Sequence, residues 1–355
     1  MMEPIKMNST WRQRENVRTD PVTDRLKSRF CRRLFRQIIF FLFCIPVISC
    51  AGDDPTGDRA SGDYEIAIGK ATHAIQMNPT SANLYKLRAM IYVSNSKFEE
   101  GISDCDEAIR LDPNNLSSYN LRGYAYFHLS QYNKAIRDYT KGIQLTTNLT
   151  ANDEFNNWTY FLRGNAYALK GNLAKAISDY NHAVELGVTN ADIYFQLGTA
   201  YGRWGEYEKA IAEFSKSVEH NGAYSTAFAS RGLAYSYIGN YTQGIADCEK
   251  AVRLNPGDLE ANNNLAWLLS IAPDAKLRDG KRALGYAQKA CGLTDWKYAP
   301  TLGTLAAAYA ETGNFDAALK WERKSIELGV SRDELATAHQ MLKSFEEKKP
   351  FHEKH

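Results

Sequence analysis

Residues 225–257 read STAFASRGLAYSYIGNYTQGIADCEKAVRLNPG, and most of the chain is built of copies of that stretch. It holds two short helical patterns. Phe228, Gly232 and Tyr235 mark the first, while Tyr241, Gly244, Cys248, Ala251 and Val252 mark the second before Asn255-Pro256 stops it. Thirty-four residues upstream, Tyr194, Gly198, Tyr201, Tyr207, Ala210 and Phe214 occupy the same slots, and Tyr160, Gly164, Tyr167, Ala176 and Tyr180 do so once more. That period belongs to a repeated helical hairpin.

Outward from this unit, residues 61–80 carry only its second half, through Gly62-Asp63-Tyr64, Ala67-Ile68, Ala74-Ile75 and Asn78-Pro79. Full units begin at Ala82, Leu116, Asn157, Ala191, Ser225, Leu259 and Ala299. Between Thr147 and Asn157 the register slips, and a longer loop on one edge of the stack is expected there. The sixth unit is broken at Ala272-Pro273-Asp274, which predicts an enlarged turn. Ser331 and Glu334 form the pattern of a capping box, opening a last helix with a charged outer face. The expected organisation is therefore a leader over 1–50, a flexible tether over 51–60, an array of one half and seven full repeats over 61–332, a capping helix over 333–347 and a disordered tail over 348–355.

The leader is basic and then apolar. Arg29, Arg32, Arg33 and Arg36 lead into Ile38 to Ser49, the layout of an export signal and shorter than the roughly 20 residues a helix needs to span a bilayer. Val47-Ile48-Ser49-Cys50 resembles the bacterial lipobox, which implies lipidation of Cys50; an uncleaved signal-anchor and ordinary cleavage are the alternatives. By the same resemblance, Ala51 after the Cys favours the outer membrane, so the expected location is the periplasm-facing cell envelope. No Met lies between Met7 and Met77, and a translation start downstream of Met1 at a non-Met codon is one expectation; a genuine long leader is the other.

Charge narrows the partners. Residues 1–50 carry ten Lys/Arg and four Asp/Glu, which leaves 33 basic and 37 acidic residues in the body. Phosphate binding needs a basic face, and the repeats present no Lys/Arg stripe, so nucleic acid is not expected as a partner. Catalysis is not expected either. The seven His are scattered without HExxH spacing, no CxxC occurs, and the glycines fall in hairpin and packing slots. His352 and His355 read as tail residues, and no metal, cofactor or small-molecule substrate is expected. Cys105 and Cys248 share one inward slot and Cys291 lies on another second helix, which suits small buried side chains rather than disulfides.

Within the repeat, four units carry Arg before the small residue of the first helix: Arg88, Arg122, Arg163 and Arg231. Each has an Asp sixteen residues on, at Asp104, Asp138, Asp179 and Asp247. Units with Leu197, Leu265 and Leu305 instead have Glu213, Tyr286 and Trp321 there. The correlation predicts an Arg-carboxylate bridge between the two helices or between adjacent units, with the Arg stem packed as part of the core.

The series aromatic, Gly/Ala, Tyr, Ala, aromatic, Ala and Pro, at spacings 4, 3, 9, 4, 3 and 5 over residues 61–332, resembles the tetratricopeptide repeat. The resemblance implies an all-α, right-handed superhelical solenoid of helix-turn-helix repeats whose first helices line a concave groove. It implies a partner-binding face at Asn120, Tyr124, Phe127, His128, Trp158, Phe161 and Asn165, then at Phe195, Thr199, Arg203, Tyr237, Asn263 and Trp267. The family's carboxylate clamp is not expected, because Met90 stands where an Asn is needed beside Lys86. An aromatic, amide-rich groove suits an extended peptide or partner helix. The expected function is a non-catalytic adaptor or scaffold that binds protein; the alternative is a structural accessory subunit of an envelope assembly or secretion complex.

Overall fold

A computed structural model describes residues 58–146 and 154–353. Among these residues the chain is all-α, with sixteen α-helices and no strand. It divides into two compact units after Val188. The first contains a lone helix α1 (Asp58–Met77), then hairpins α2 (Ala82–Ser94) with α3 (Phe98–Leu111), α4 (Leu116–His128) with α5 (Tyr132–Thr146), and α6 (Glu154–Leu169) with α7 (Leu173–Glu185). The second contains α8 (Ala191–Trp204) with α9 (Tyr207–His220), α10 (Ser225–Tyr237) with α11 (Tyr241–Leu254), α12 (Leu259–Ile271) with α13 (Gly280–Leu293), α14 (Ala299–Glu311) with α15 (Phe315–Leu328), and a closing α16 (Arg332–Glu346). The helix α1 starts inside the stretch expected as tether. The leader, Cys50 and the loop at 147–153 lie outside the described residues.

Sequence explains where each helix starts and stops. Asn115, Asn172, Asn190, Asn240, Asp258, Asp279 and Asn314 each accept the backbone N–H three residues on, supplying a partner to an otherwise orphaned helix donor. The Ser331/Glu334 capping box is formed in both directions. The turn inside each regular hairpin needs a left-handed residue. Gly171, Gly205, Gly239 and Gly313 supply it at no steric cost, whereas the same slot in the first two hairpins holds Ser96 and Ser130 at φ 59° and 58°. The sixth hairpin's broken turn is a short 3-10 segment, Ala275–Leu277, and Arg278 Nη1 ties it by donating to the carbonyls of Ala272 (2.8 Å) and Pro273 (3.0 Å).

Helices pack most heavily within their own hairpin, and successive first helices also touch: α2 with α4 and α4 with α6 in the first unit, α10 with α12 and α12 with α14 in the second. The close approach inside a hairpin rests on a small residue facing a large one. A Cβ on Gly198 would stand 2.8 Å from the Phe214 ring, so only glycine lets that ring seat. Tyr139, Tyr180 and Phe214 occupy this inward slot fully buried, as do Cys105 and Cys248, whose thiols burial pushes up in pKa. Cys105, Cys248 and Cys291 are all buried and free.

The Arg-Asp bridges form in every unit that carries the pair. Arg88, Arg122, Arg163 and Arg231 each grip their Asp through Nε and Nη2 at 2.7 to 2.9 Å. Their remaining Nη1 reaches back to the second helix of the preceding unit: to Thr72 on α1, Asp106 on α3, Thr140 on α5 and Ser215 on α9. The carboxylate bridge joins the two helices of one hairpin in all four units, and the contact to the adjacent unit is to a carboxylate at Asp106 and to a hydroxyl at Thr72, Thr140 and Ser215. One guanidinium joins its own two helices and the neighbouring hairpin, with the planar fork satisfied on three sides.

The tail corrects an expectation. Residues 348–353 were expected to be disordered, yet Phe351 packs against the apolar core of the second unit and Glu353 N–H donates to Ile271 O at 3.0 Å. Tyr241 donates its hydroxyl to the Glu353 carboxylate, and His352 Nε2 lies 2.7 Å from Glu311 Oε2, while Arg278 donates to Glu311 Oε1 at 3.0 Å. The physical reason is one apolar ring and two side chains with waiting partners. A charged octapeptide read by composition alone hides them.

Candidate functional site

The residues expected to form a partner-binding face lie on first helices, and the structure sorts them into three classes. Some are core. Phe161 and Phe195 are 7% and 2% exposed, each about 5.8 Å between centroids from the ring on its own second helix, Tyr180 and Phe214. Their assignment to the binding face is corrected: position five of those repeats plugs the hairpin because an aromatic faces it. Asn120 is also buried, and its Nδ2 donates to Thr159 Oγ1 at 2.6 Å, linking α4 to α6. Thr199 is buried as well.

A second class is partly exposed in the first unit. Tyr124, Phe127 and His128 form a ring cluster at the end of α4, with His128 stacked on Phe98 at 5.1 Å and Phe127 edge-on to Tyr132 at 5.6 Å. On α6, half-buried Trp158 meets Phe161 edge-on at 5.5 Å, and Asn165 accepts from the Tyr180 hydroxyl at 2.8 Å. In the second unit Arg203 is half-buried on α8.

The third class surrounds an opening. Tyr237 on α10 and Asn263 and Trp267 on α12, all half-buried, line a pocket of about 90 Å³ whose far side is formed by Gly303 of α14, Glu322 of α15 and Met341 of α16. Tyr237 also stacks on Tyr207 at 4.5 Å. The sequence reading missed Glu322. It is 1% exposed, its Oε2 has no hydrogen-bond partner, and burial raises its pKa to about 8. Asn263 Oδ1 is likewise buried without a partner. Glu334 lines the same pocket while its Oε2 accepts from Ser331 N–H at 2.8 Å. A signal for Glu322 existed: it stands at position 24 of its repeat, where the first five repeats place Cys105, Tyr139, Tyr180, Phe214 and Cys248.

No cluster of three or more His, Cys, Asp or Glu among the described residues is placed to hold a metal ion. The arrangement is suited to recognition: rings offering apolar area, amides and hydroxyls offering hydrogen bonds, and a carboxyl at the base of an opening.

Models described as tetratricopeptide repeat match residues 82–115, 105–137, 191–223, 225–258 and 301–330, and one described as TPR repeat matches 164–205. No curated protein matches the chain. Among solved structures, the chain is similar to the Cut9-Hcn1 hetero-tetramer of the APC/C, at 16% identity over 70% of this chain and 46% of that one, with a TM-score of 0.54. It is similar to the C-terminal part of a TPR repeat-containing protein from Cytophaga hutchinsonii, at 21% identity over 70% and 97% of the two chains, and to pilF of Pseudomonas aeruginosa, at 15% over 65% and 95%, each with a TM-score of 0.50. At such identities these likenesses speak for the fold, and the repeat models speak for the family. The chain is a tetratricopeptide-repeat protein.

Proposed function

We propose that this protein is a non-catalytic adaptor or scaffold of the bacterial cell envelope that binds a protein partner, as an extended peptide or a helix, along the face formed by its first helices. The observation that carries the reading is the opening lined by Tyr237, Asn263 and Trp267, where half-buried rings stand beside a buried amide oxygen with no intramolecular donor. A polar group left unmet at an opening is costly until an incoming partner satisfies it. The Tyr124, Phe127 and Trp158 rings are a second patch of the same composition in the other unit.

Location follows from the leader. The lipobox-like Val47-Ile48-Ser49-Cys50 supports a lipid on Cys50 that holds the array at the membrane surface, in the outer membrane by the residue that follows. Among the described residues no helix is long and apolar enough to cross a membrane. The acidic body supports protein rather than nucleic acid as the partner.

The test is capture from a native envelope extract with the parent chain and a Trp158→Ala, Trp267→Ala variant whose helix content is verified by circular dichroism. A partner held by the parent and lost by the folded variant supports the reading. Identical capture by both moves the contacts to edges and loops, and the accessory-subunit reading takes its place. Lipidation is checked separately: label from a radioactive fatty acid should be incorporated into the parent and not into Cys50→Ser.

A further inference from the structure

The seventh repeat departs from its siblings at two positions that touch each other. In the third and fourth repeats, position five and position 24 hold Phe161 with Tyr180 and Phe195 with Phe214, ring against ring. In the seventh they hold Gly303 and Glu322. The pairing in space is kept, since a Cβ on Gly303 would lie 3.5 Å from Glu322 Oε2. The neighbouring architecture is kept too: Ser325 donates to Ala299 O at 2.8 Å as Ser217 does to Ala191 O at 2.8 Å in the fourth repeat. The hairpin is thus built as the third and fourth are, with their ring pair replaced by a glycine and a carboxyl.

The chemistry of that space is one-sided. Its titratable groups are Glu322 from α15, Glu334 from α16 and Tyr237 from α10; α12 and α14 contribute none, and no Lys, Arg or His lines it. The buried side-chain atoms there that lack a partner, Glu322 Oε2 and Asn263 Oδ1, include a carboxyl oxygen and an amide oxygen, both able to accept. Trp267 and Tyr237 supply ring faces of the kind that attract a cation. A planar, donor-rich, positively charged group matches all three features, and guanidinium combines them better than ammonium does.

We propose that the pocket between α12, α14, α15 and α16 is an anchor site for an arginine side chain of the protein partner, with Glu322 as the acceptor at its base. The inference rests on the binding-face reading above and adds to it the chemistry of the anchor. Entry of the cation favours the ionised carboxylate, so a proton leaves Glu322 for solvent as the arginine arrives. Burial has raised that group's pKa to about 8, and binding near neutral pH is therefore accompanied by proton release and strengthens as pH rises toward 8.

The experiment uses the full chain and three capped tripeptides, glycyl-X-glycine with X as arginine, citrulline or norleucine, titrated to millimolar concentration by calorimetry in two buffers of different ionisation enthalpy. Arginine should bind about tenfold more tightly than citrulline, as charge-assisted hydrogen bonding requires, and release a proton at pH 7. Glu322→Gln, which keeps the shape and removes the ionisable group, should bring arginine to the citrulline level and abolish the release. Equal affinity for arginine and citrulline, no arginine binding, or undiminished binding by Glu322→Gln overturns the anchor. The two readings fail separately: a partner captured equally by the parent and Glu322→Gln but lost by Trp158→Ala, Trp267→Ala leaves the binding face standing and removes the arginine anchor.

Discussion

In the pairs that staple the hairpins the carboxylates are buried, Asp104 and Asp138 at 5% and 4% exposure, and the Arg side chains are half-buried. Removing one partner strands the other, so Asp138→Ala is expected to cost about 2–3 kcal/mol in denaturant unfolding. Replacing Arg122 and Asp138 together by Leu should cost less than Asp138→Ala alone, since the chain itself uses Leu197, Leu265 and Leu305 at the Arg slot. A double change as damaging as the two single changes summed would show that the pair is not coupled. Glu322 obeys the opposite logic. Its folded pKa lies above the usual carboxylate value, so the folded state holds a proton that the unfolded chain releases between about pH 4.5 and 8. Stability attached to this group is lost as pH rises through that window. Glu322→Gln should therefore raise the melting temperature of the unliganded protein at pH 8 by several degrees and barely change it at pH 4.5; an equal shift at both would assign the effect to packing. At this scale the sequence disclosed the Arg-Asp pairs because their co-occurrence is repeated within one chain. It misassigned Phe161 and Phe195 because their rings pack on Tyr180 and Phe214 of the second helix, a tertiary contact that the repeat period does not report.

Elements were more legible than residues. Six of the seven first helices open at the residue that begins the repeat, and α6 opens at Glu154, just upstream of Asn157. Asparagine caps and turn glycines mark these borders chemically, which is why periodicity located them. The turn slot permits a direct test: Ser96 and Ser130 hold the left-handed conformation that their sibling repeats give to glycine. Ser130→Gly should stabilise the protein by about 0.5–1 kcal/mol in thermal or denaturant unfolding, with relief of the backbone penalty outweighing the extra entropy of the unfolded chain. The terminal segment was illegible because it carries no period. Ending the chain at Lys348 removes Phe351, His352 and Glu353 from their partners on α11, α12 and α14, and should lower the melting temperature by several degrees while increasing hydrogen exchange at the end of α12.

Within each of the two units, contacts run between neighbours in sequence order, as expected for stacked repeats whose stability sums local terms and interfaces. Unfolding should consequently depart from a single cooperative step, with transitions by tryptophan fluorescence and by circular dichroism that do not coincide in urea. Coincident curves and one slope would argue for a single cooperative block. The Arg staples also have a mechanical meaning. If a lipid holds one end and a partner pulls elsewhere, load passes in series across the seams between hairpins. Arg88, Arg122 and Arg163 act as half-buried rivets across seams in the first unit. The ion pair across the seam between the fifth and sixth hairpins, Arg282 with Glu249 at 2.6 Å, is by contrast 45% and 30% exposed. Salt screens such an exposed pair and spares the sheltered ones. Across that seam the exposed pair's share of the resistance to tension falls as ionic strength rises, while the buried bonds from Ser225 and Thr226 to Asp258 keep theirs.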